Sequence, residues 1–241
     1  MAKLPASSQK VWLDEFALAT DLTAAGLDVT QEIPTVTTLG DAGPRRLVGN
    51  YDFAMPYLGL FDFTDDAYDE QIHLLLESAA DHYATIALGS AIGDVAYDGV
   101  CSLVSQPREA SLGGAVALNF DLAGRESLSR GVLLGNKTTT GAEDLTGVNQ
   151  GATVANQTYR AIFRIISFTG TNITLTIEES QNDGGGDAYG AIAGLNSGAQ
   201  TGVGVWEAET TSATEAWKRL AVSGTFTSVV IVVSAGVLAG E

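Results

Sequence analysis

The side chains most able to carry out chemistry are scarce in this chain, which has two histidines and one cysteine among 241 residues. His73 and His82 are both expected on one helix, where nine residues turn through about 900°. Their rings therefore point to opposite faces, and the spacing predicts no shared metal site. Cys101 lies in the strand-like stretch YDGVCSLVSQ. A free cysteine in such a stretch is more often a buried core thiol than a nucleophile.

Carboxylates could bind an ion or act as an acid and base pair. The segment ESQNDGGGDAY places Asp183 and Asp187 on either side of three glycines. A helix–loop–helix calcium loop needs acidic residues at alternating positions and a closing glutamate, and this spacing does not provide them. Because Gly, Asn and Asp favour turns, we predict a flexible loop between strands, with ion binding as the alternative.

The sequence contains no motif of a familiar catalytic class. Neighbouring carboxylates such as Glu178 and Glu179 point in different directions on a strand or helix. No serine lies in a Gly-x-Ser-x-Gly turn, and the phosphate-binding pattern Gly-x-x-x-x-Gly-Lys is absent. We therefore predict no catalytic residues, no metal site and no cofactor. A hydrolase whose residues converge only in the fold is the alternative.

Only one segment of the chain is predicted to be a helix. Thr64 can cap its start, and the residues that follow place carboxylates in its first turns, where they favour the helix dipole. Ile72, Leu75, Leu76 and Ala79 recur at helical spacing and form one apolar face.

Strand patterns dominate the rest of the chain. In YDFAMPYLGLFDF the alternation predicts a strand with Phe53, Met55 and Tyr57 buried, and Pro56 favours an edge position. TYRAIFRIISFTG and TNITLTIEESQ predict two strands that meet in a hairpin turn at Gly170–Asn172. EAWKRLAVSG and FTSVVIVVSAG predict two more strands near the end of the sequence.

Residues 135–151 are rich in Gly and Thr and poor in large apolar side chains, which favours a domain boundary. We therefore divide the chain into residues 1–140 and residues 145–241. The first part includes an N-terminal arm at residues 1–10 and an exposed loop at about residues 40–50. The second part has the length that is typical of a β-sandwich.

The chain is strongly acidic, since 29 Asp and Glu against 12 Lys and Arg give a net charge of −17. This charge argues against binding nucleic acid, because phosphates are bound by a cationic stripe, and it would repel DNA that passes close by. The first residues lack the apolar run of a signal peptide, and no run reaches the roughly 20 residues that span a bilayer. We expect a soluble protein that is made in the cytoplasm and does not enter a membrane.

The order of these parts resembles a known family. VWLDEFALATDLTAAGLDVTQEIPTVTTLGD is followed by a loop and by the strand YDFAMPYLGLFDF. Residues 36–41, VTTLGD, fit a Val-x-Thr-x-Phe/Leu-Gly-Asp stretch. The chain resembles the major tail tube proteins of long, non-contractile-tailed bacteriophages, the siphophages. Residues 145–241 resemble the accessory β-sandwich that some members carry.

The resemblance implies a mainly β fold, with a tail-tube β-sandwich or barrel and one flanking α-helix. A C-terminal β-sandwich of immunoglobulin-like or jelly-roll-like type would follow, on the outside and dispensable for tube formation. Six copies would form a ring, and stacked rings would form an acidic-lined conduit for DNA ejection in the virion tail.

The implied partners are further copies of this chain and other tail proteins such as the tape measure and the tail terminator. DNA would pass through the lumen without specific binding. The N-terminal arm and the loop near residues 40–50 would reach adjacent rings. The candidate inter-subunit contacts are Val11, Trp12, Leu39, Asp41, Arg45, Arg46 and Leu47.

A second hypothesis is another virion or surface β-sandwich, such as a capsid-decorating or carbohydrate-binding module. Trp206, Trp217 and Tyr189 could stack on sugars, since their rings offer apolar faces with a polar edge. The two tryptophans also lie within strand patterns, where core packing is the favoured explanation.

Overall fold

The computed structural model describes residues 9–18, 22–31, 51–60, 72, 80–110 and 116–238. These residues form a mainly β fold, which confirms the predicted fold class. The strands are β1 (Lys10–Leu13), β2 (Phe16–Ala17), β3 (Leu22–Ala25), β4 (Asp28–Gln31), β5 (Tyr51–Leu60), β6 (His82–Ala87), β7 (Val95–Ser105), β8 (Arg108–Ala110), β9 (Val116–Gly124), β10 (Ser129–Thr139), β11 (Glu143–Asp144), β12 (Val148–Asn149), β13 (Tyr159–Ser180), β14 (Gly190–Asn196), β15 (Gly204–Thr210) and β16 (Trp217–Leu238).

These strands belong to one antiparallel hydrogen-bonded sheet, with the order β14-β13-β16-β10-β7-β6-β1-β2. β5 lies between β9 on one side and β3 and β4 on the other. β9 and β10 pair with successive lengths of β7. They therefore act as one long strand that is interrupted at residues 125–128.

β13 and β16 are each 22 residues long and pair along their length. The prediction of a hairpin turn at Gly170–Asn172 is wrong, because the chain continues through these residues as one strand. The register shifts between Ile165 and Asn172, and such bulges bend a strand without reversing it. A Cβ on Gly170 would collide with the backbone of Phe226, so glycine serves a close approach of the strands here rather than a turn.

The first buried cluster combines both halves of the bent β13–β16 pair. Phe163 and Ile165 come before the bend, whereas Ile173 and Leu175 come after it, and all four belong to one apolar core. These side chains are fully buried. The bend thus lets a single pair of strands supply side chains to a shared core from both of its lengths.

The second buried cluster lies under β5, β9, β6 and β1. Phe53, Met55 and Tyr57 are buried in it, which confirms the alternation predicted for this strand. The Tyr57 ring stacks on the Phe120 ring of β9, with 4.6 Å between their centroids.

Pro56 does not mark an edge strand, contrary to the prediction, because β5 has partners on both sides. On one side the partner is interrupted between β3 and β4, and Gly26 N donates to Pro56 O across this break at 2.9 Å. A proline cannot donate a ladder hydrogen bond, so its position opposite the break costs the sheet little.

Most of the predicted helix lies outside the described residues. Ile72 is helical and buried in the second cluster. His82 is the first residue of β6 and not part of a helix, so that expectation is wrong. The segment His82–Ala87 contains adjacent β-branched residues, Thr85 and Ile86, which favour a strand, and it pairs along β7.

The predicted division near residues 140–145 falls within the sheet. β10 pairs with one length of β16, and β11 pairs with another. The division into two domains stays a prediction, but β16 is hydrogen-bonded to strands on both sides of it.

We expect that removing residues 145–241 unfolds the remainder, because β10 would lose β16 as its partner. A chain of residues 1–144 should show no cooperative thermal transition by circular dichroism. As a control, a chain that lacks only Gly184–Gly186 of the β13–β14 loop keeps every strand and should melt close to the full chain. A cooperative transition of residues 1–144 near that of the full chain would contradict this expectation.

Candidate functional site

An exposed face of the sheet is formed by β5, β9 and their neighbours. Because the buried residues of β5 alternate with exposed ones, the other set of side chains points away from the core. Cross-strand pairing extends this set to β3, β4, β7 and β9. We call it the acidic face; its side chains are Ala24, Asp28, Thr30, Asp52, Ala54, Pro56, Leu58, Ser102, Ala117, Asn119, Asp121 and Ala123.

The charged side chains described on the acidic face are all carboxylates. Asp28, Asp52 and Asp121 are exposed. Asp52 Oδ1 accepts from its neighbour's backbone N–H at 2.8 Å, and Asp121 Oδ2 accepts from Ser105 Oγ at 2.7 Å. No cation pairs with any of the three in the part of the chain that the structure describes. The face therefore carries unneutralised negative charge among mostly small side chains.

The cations in residues 141–238 are bound within the chain. Arg160 and Arg219 pair with carboxylates at 2.6–2.8 Å. Arg164 and Lys218 are buried and donate to backbone carbonyl oxygens. This part of the chain thus presents no cluster of unpaired cations among its described residues, as binding to phosphates would require.

Three glutamates surround Arg160. Carboxylate oxygens of Glu126, Glu207 and Glu209 lie within 4.8 Å of one another, a spacing that could hold a metal ion. The guanidinium of Arg160 already pairs with all three, at 2.6 Å, 2.6 Å and 2.7 Å. The group therefore acts as an ion-pair clamp that joins β13, β15 and the interruption between β9 and β10.

Two opposite charges, Asp98 and Arg164, are fully buried beside a third, smaller apolar cluster that includes Ala96 and Val232. Thr85 Oγ1 and Ser234 Oγ donate to Asp98 Oδ1 at 2.5 Å and 2.6 Å. Burial raises the pKa of Asp98, and the nearby Arg164 opposes that shift. Burial likewise lowers the pKa of Arg164, and Asp98 opposes that shift.

Arg164 also ties distant strands together. Its Nε donates to Asp14 O at 2.8 Å and its Nη2 donates to Tyr83 O at 2.9 Å. Arg164 lies on β13, whereas Asp14 follows β1 and Tyr83 lies on β6. These bonds join strands that are far apart in the sheet order, so the sheet must curl around this charged interior.

Cys101, His82 and Asp14 lie near one another and could be compared with the nucleophile, base and acid of a catalytic triad. His82 Nδ1 lies 2.8 Å from Asp14 Oδ2. The Cys101 thiol, however, donates to the backbone oxygen of His82 at 3.3 Å and not to its ring. Burial raises the pKa of Cys101 to about 12, which disfavours the reactive thiolate. Cys101 is a core thiol, as its strand context predicts.

The segment with Asp183 and Asp187 connects β13 to β14, which confirms a loop between strands. Asp187 Oδ2 accepts from Gln181 N at 2.9 Å, and Asp183 Oδ1 accepts from Tyr189 Oη at 2.7 Å. Both carboxylates are used by donors of the loop itself. Glu215 lies beside Asp187, but among the described residues these carboxylates do not form a group of three whose oxygens are close enough together to hold a metal ion.

The aromatic residues that could stack on sugars are engaged within the chain. Trp206 packs against the first buried cluster. The Arg219 guanidinium covers the Tyr189 ring at 4.2 Å from its centroid. Trp217 is half-buried at the start of β16.

Two of the candidate inter-subunit contacts fall within the described residues. Val11 and Trp12 are 3% and 4% exposed, on β1, which pairs with β6. Their side chains are buried in the apolar clusters of this chain. Their role in contacts between copies stays a prediction. Leu39, Asp41, Arg45, Arg46 and Leu47 lie outside the described residues.

Sequence reasoning missed Asp98, Arg160 and Arg164, which hold the interior together. A signal exists for the two arginines, because both interrupt the apolar stretch YRAIFRII at positions that share one face of a strand. A charge in such a stretch indicates a buried partner. Asp98 has no comparable signal, since VAYDGV reads equally as a strand with one exposed aspartate.

Searches for known relatives found neither a matching protein-family model nor a matching curated protein. Fifteen chains of solved structures match, and three of them illustrate the range. One is a chain of the virion of a native gene transfer agent particle, with 19% sequence identity and a TM-score of 0.43. The alignment covers 53% of this chain and 98% of that chain. Another is a chain from the tail of an empty gene transfer agent particle, computed with C6 symmetry, with 20% sequence identity and a TM-score of 0.37. The alignment covers 45% of this chain and 81% of that chain.

The third is the SPP1 Dit protein, a hub of the adsorption apparatus in phages that infect Gram-positive bacteria. It is 10% identical and covers 94% of this chain and 98% of its own, with a TM-score of 0.38. All three TM-scores lie below 0.5, so these likenesses leave the function of this chain open. Within the described residues, no helix has both the length and the apolar character to span a bilayer.

We expect that Arg164→Met destabilises the fold by about 3–5 kcal/mol, because it leaves two backbone oxygens without their donor and removes the nearby cation that stabilises the buried Asp98 carboxylate. Asp98→Asn combined with Arg164→Met should cost less than the sum of the single changes, since the pair is coupled. Urea unfolding of the unchanged protein, Arg164→Met, Asp98→Asn and the double variant gives the four free energies of unfolding that measure this coupling. Arg219→Met, at a partly exposed ion pair, is the control and should cost no more than about 1 kcal/mol. Additive effects of the two buried changes would refute the coupling.

Proposed function

We propose that this chain is a structural component of a bacteriophage tail and, more specifically, a tail tube subunit. Six copies would form a ring, and the rings would stack into a conduit for DNA. The observation that carries the proposal is the acidic face, with Asp28, Asp52 and Asp121 exposed and unpaired by described cations. The order of sequence parts that resembles tail tube proteins supports the same assignment.

The acidic face suits the wall of a DNA conduit for electrostatic and steric reasons. Negative side chains repel phosphates, so DNA slides past instead of binding. Most of the remaining side chains, including Ala54, Ala123 and Ser102, are small, and Leu58 is the large apolar side chain among them. We therefore assign this face to the lumen of the proposed tube.

Further copies of this chain are the main partners in this proposal, and the tape measure and tail terminator proteins would contact the ends of the tube or its contents. The N-terminal arm and the loop near residues 40–50 would reach adjacent rings. A sheet that is continued around a closed ring has no free edges, which favours such an assembly for a chain that is nearly all β.

Electron microscopy of the purified full-length protein tests the assembly. We expect rings with six-fold symmetry or tubes built from them. A protein that stays monomeric under all assembly conditions would refute the tube subunit.

Size-selective labelling of single cysteines tests the lumen. The native Cys101 is buried and does not compete. Thr30→Cys and Ala54→Cys place thiols on the acidic face, and Thr201→Cys places one on an exposed loop as a control. In assembled tubes a small maleimide should label all three variants. A maleimide on a large polyethylene glycol should label only Thr201→Cys, because the polymer cannot enter the conduit.

The same labelling on unassembled protein shows that each new thiol is accessible. We expect the large reagent to react with the acidic-face variants at least about tenfold more slowly in tubes than in the free chain. Equal rates in both forms would place the acidic face outside the conduit and overturn its assignment, even where tubes form.

A further inference from the structure

A cavity of about 240 Å³ lies outside the acidic face, between β10, β16 and the segment that follows β12. Arg130 and Val132 of β10 form one wall, and Val237 of β16 lies next to them. Gln150 and Tyr159 form the opposite side. The cavity is therefore built by several elements of the sheet and is not a gap within one loop.

Three glycines border the cavity. Gly131 and Gly236 are direct partners on β10 and β16, and a Cβ on either would collide with the backbone of the other strand. They therefore serve a close approach of the two strands, while Arg130, Val132 and Val237 alternate with them and belong to the other face. Gly151 also lines the cavity and has a φ of 81°, a left-handed conformation that glycine adopts without strain.

The cavity carries hydrogen-bond donors without matching acceptors. Tyr159 Oη donates to Gln150 Oε1 at 2.9 Å, which turns the nitrogen of that amide away from the tyrosine. Gln150 Nε2 is buried and has no partner among the described residues. Arg130 is exposed and, within the same residues, forms no ion pair or hydrogen bond through its side chain.

The charge that lines the cavity is positive. Among its described lining residues Arg130 is charged and none is acidic, although acidic residues outnumber basic ones 29 to 12 in the chain. Lys218 lies behind the Tyr159 ring, with its Nζ 5.4 Å from the ring centroid, and donates to Gly151 O at 2.6 Å. Glu179 and Glu215 lie close enough to Lys218 to offset its charge, so the Arg130 guanidinium is the cation that an anion in the cavity would meet.

We propose that this cavity binds a carboxylate group. A guanidinium offers a fork of N–H donors that matches the two carboxylate oxygens, and the amide of Gln150 adds a further donor. The volume admits a group the size of an acidic amino-acid side chain. The carboxylate could belong to a free small acid or to a glutamate of a protein chain, and both sources share this chemistry. The proposal is independent of the role in a phage tail.

Isothermal titration calorimetry of the full-length protein with glutarate tests the proposal. Glutarate should bind the unchanged protein, and Arg130→Gln should weaken binding at least about tenfold, the loss expected for one charged hydrogen-bonding partner. Arg125→Gln is the matched control, since it removes an exposed arginine that pairs with Asp81 outside the cavity. That variant should bind glutarate like the unchanged protein.

A second variant, Gln150→Glu, keeps the acceptor for Tyr159 and replaces the unpartnered donor with a carboxylate. It should also lose binding, because like charges would meet in the cavity. Glutaramide, which has the same length without a carboxylate, should not bind. Inorganic phosphate should bind more weakly than glutarate, because it has no methylene groups to contact Val132 and Val237 in the cavity.

The source of the carboxylate follows from a further probe, N-acetylglutamate amide, which presents a glutamate side chain as a protein would. Binding of this probe as well as glutarate supports the side chain of a protein partner, whereas binding of glutarate alone supports a free small acid. Three results would overturn the proposal: no binding of either probe at about 10 mM, equal binding of phosphate, or equal affinity of Arg130→Gln.

Discussion

The long pairing of β13 with β16 is the interaction on which the rest of the structure depends. Each strand is 22 residues long and supplies side chains to the first buried cluster from both sides of its bend. β16 also pairs with β10, β11 and β12, the three consecutive strands that precede β13 in the chain. Because strands pair through backbone hydrogen bonds, the bend near Gly170 fixes the position of every strand attached to this pair.

The curl of the sheet explains why charges are buried inside it. Strands on its concave side come close together, and a long side chain is needed to reach from β13 to carbonyl oxygens near β1 and β6. Arg164 provides that reach, and Asp98 balances its charge. Two buried charges stabilise the fold less than apolar packing would. The hydrogen bonds of Arg164, however, are directional and specify which strands meet. Arg160 plays a related part at the surface through its three glutamates.

The sequence predicts a structural feature well when neighbouring residues decide it, and poorly when strands distant in the sequence decide it. Alternation is local, so the buried face of β5 at Phe53, Met55 and Tyr57 is predicted correctly. Gly170 and Pro56 are ambiguous because glycine serves turns and bulges alike, and proline tolerates both an edge and an interrupted partner strand. Only the pairing decides between these cases. The cavity beside Arg130 and the acidic face depend on cross-strand register, and no local pattern encodes it.

The position of the acidic residues matters more than their number. At physiological ionic strength the field of an exposed charge is screened within about 8 Å, so the net charge of −17 cannot act on DNA at a distance. Beyond residue 140, the described cations are bound by carboxylates or backbone carbonyls of the chain itself. On the acidic face, Asp28, Asp52 and Asp121 have no described cation near enough to pair with. A repulsive effect on phosphates would therefore be confined to a surface that DNA approaches closely, and the acidic face has the unpaired carboxylates for such an effect.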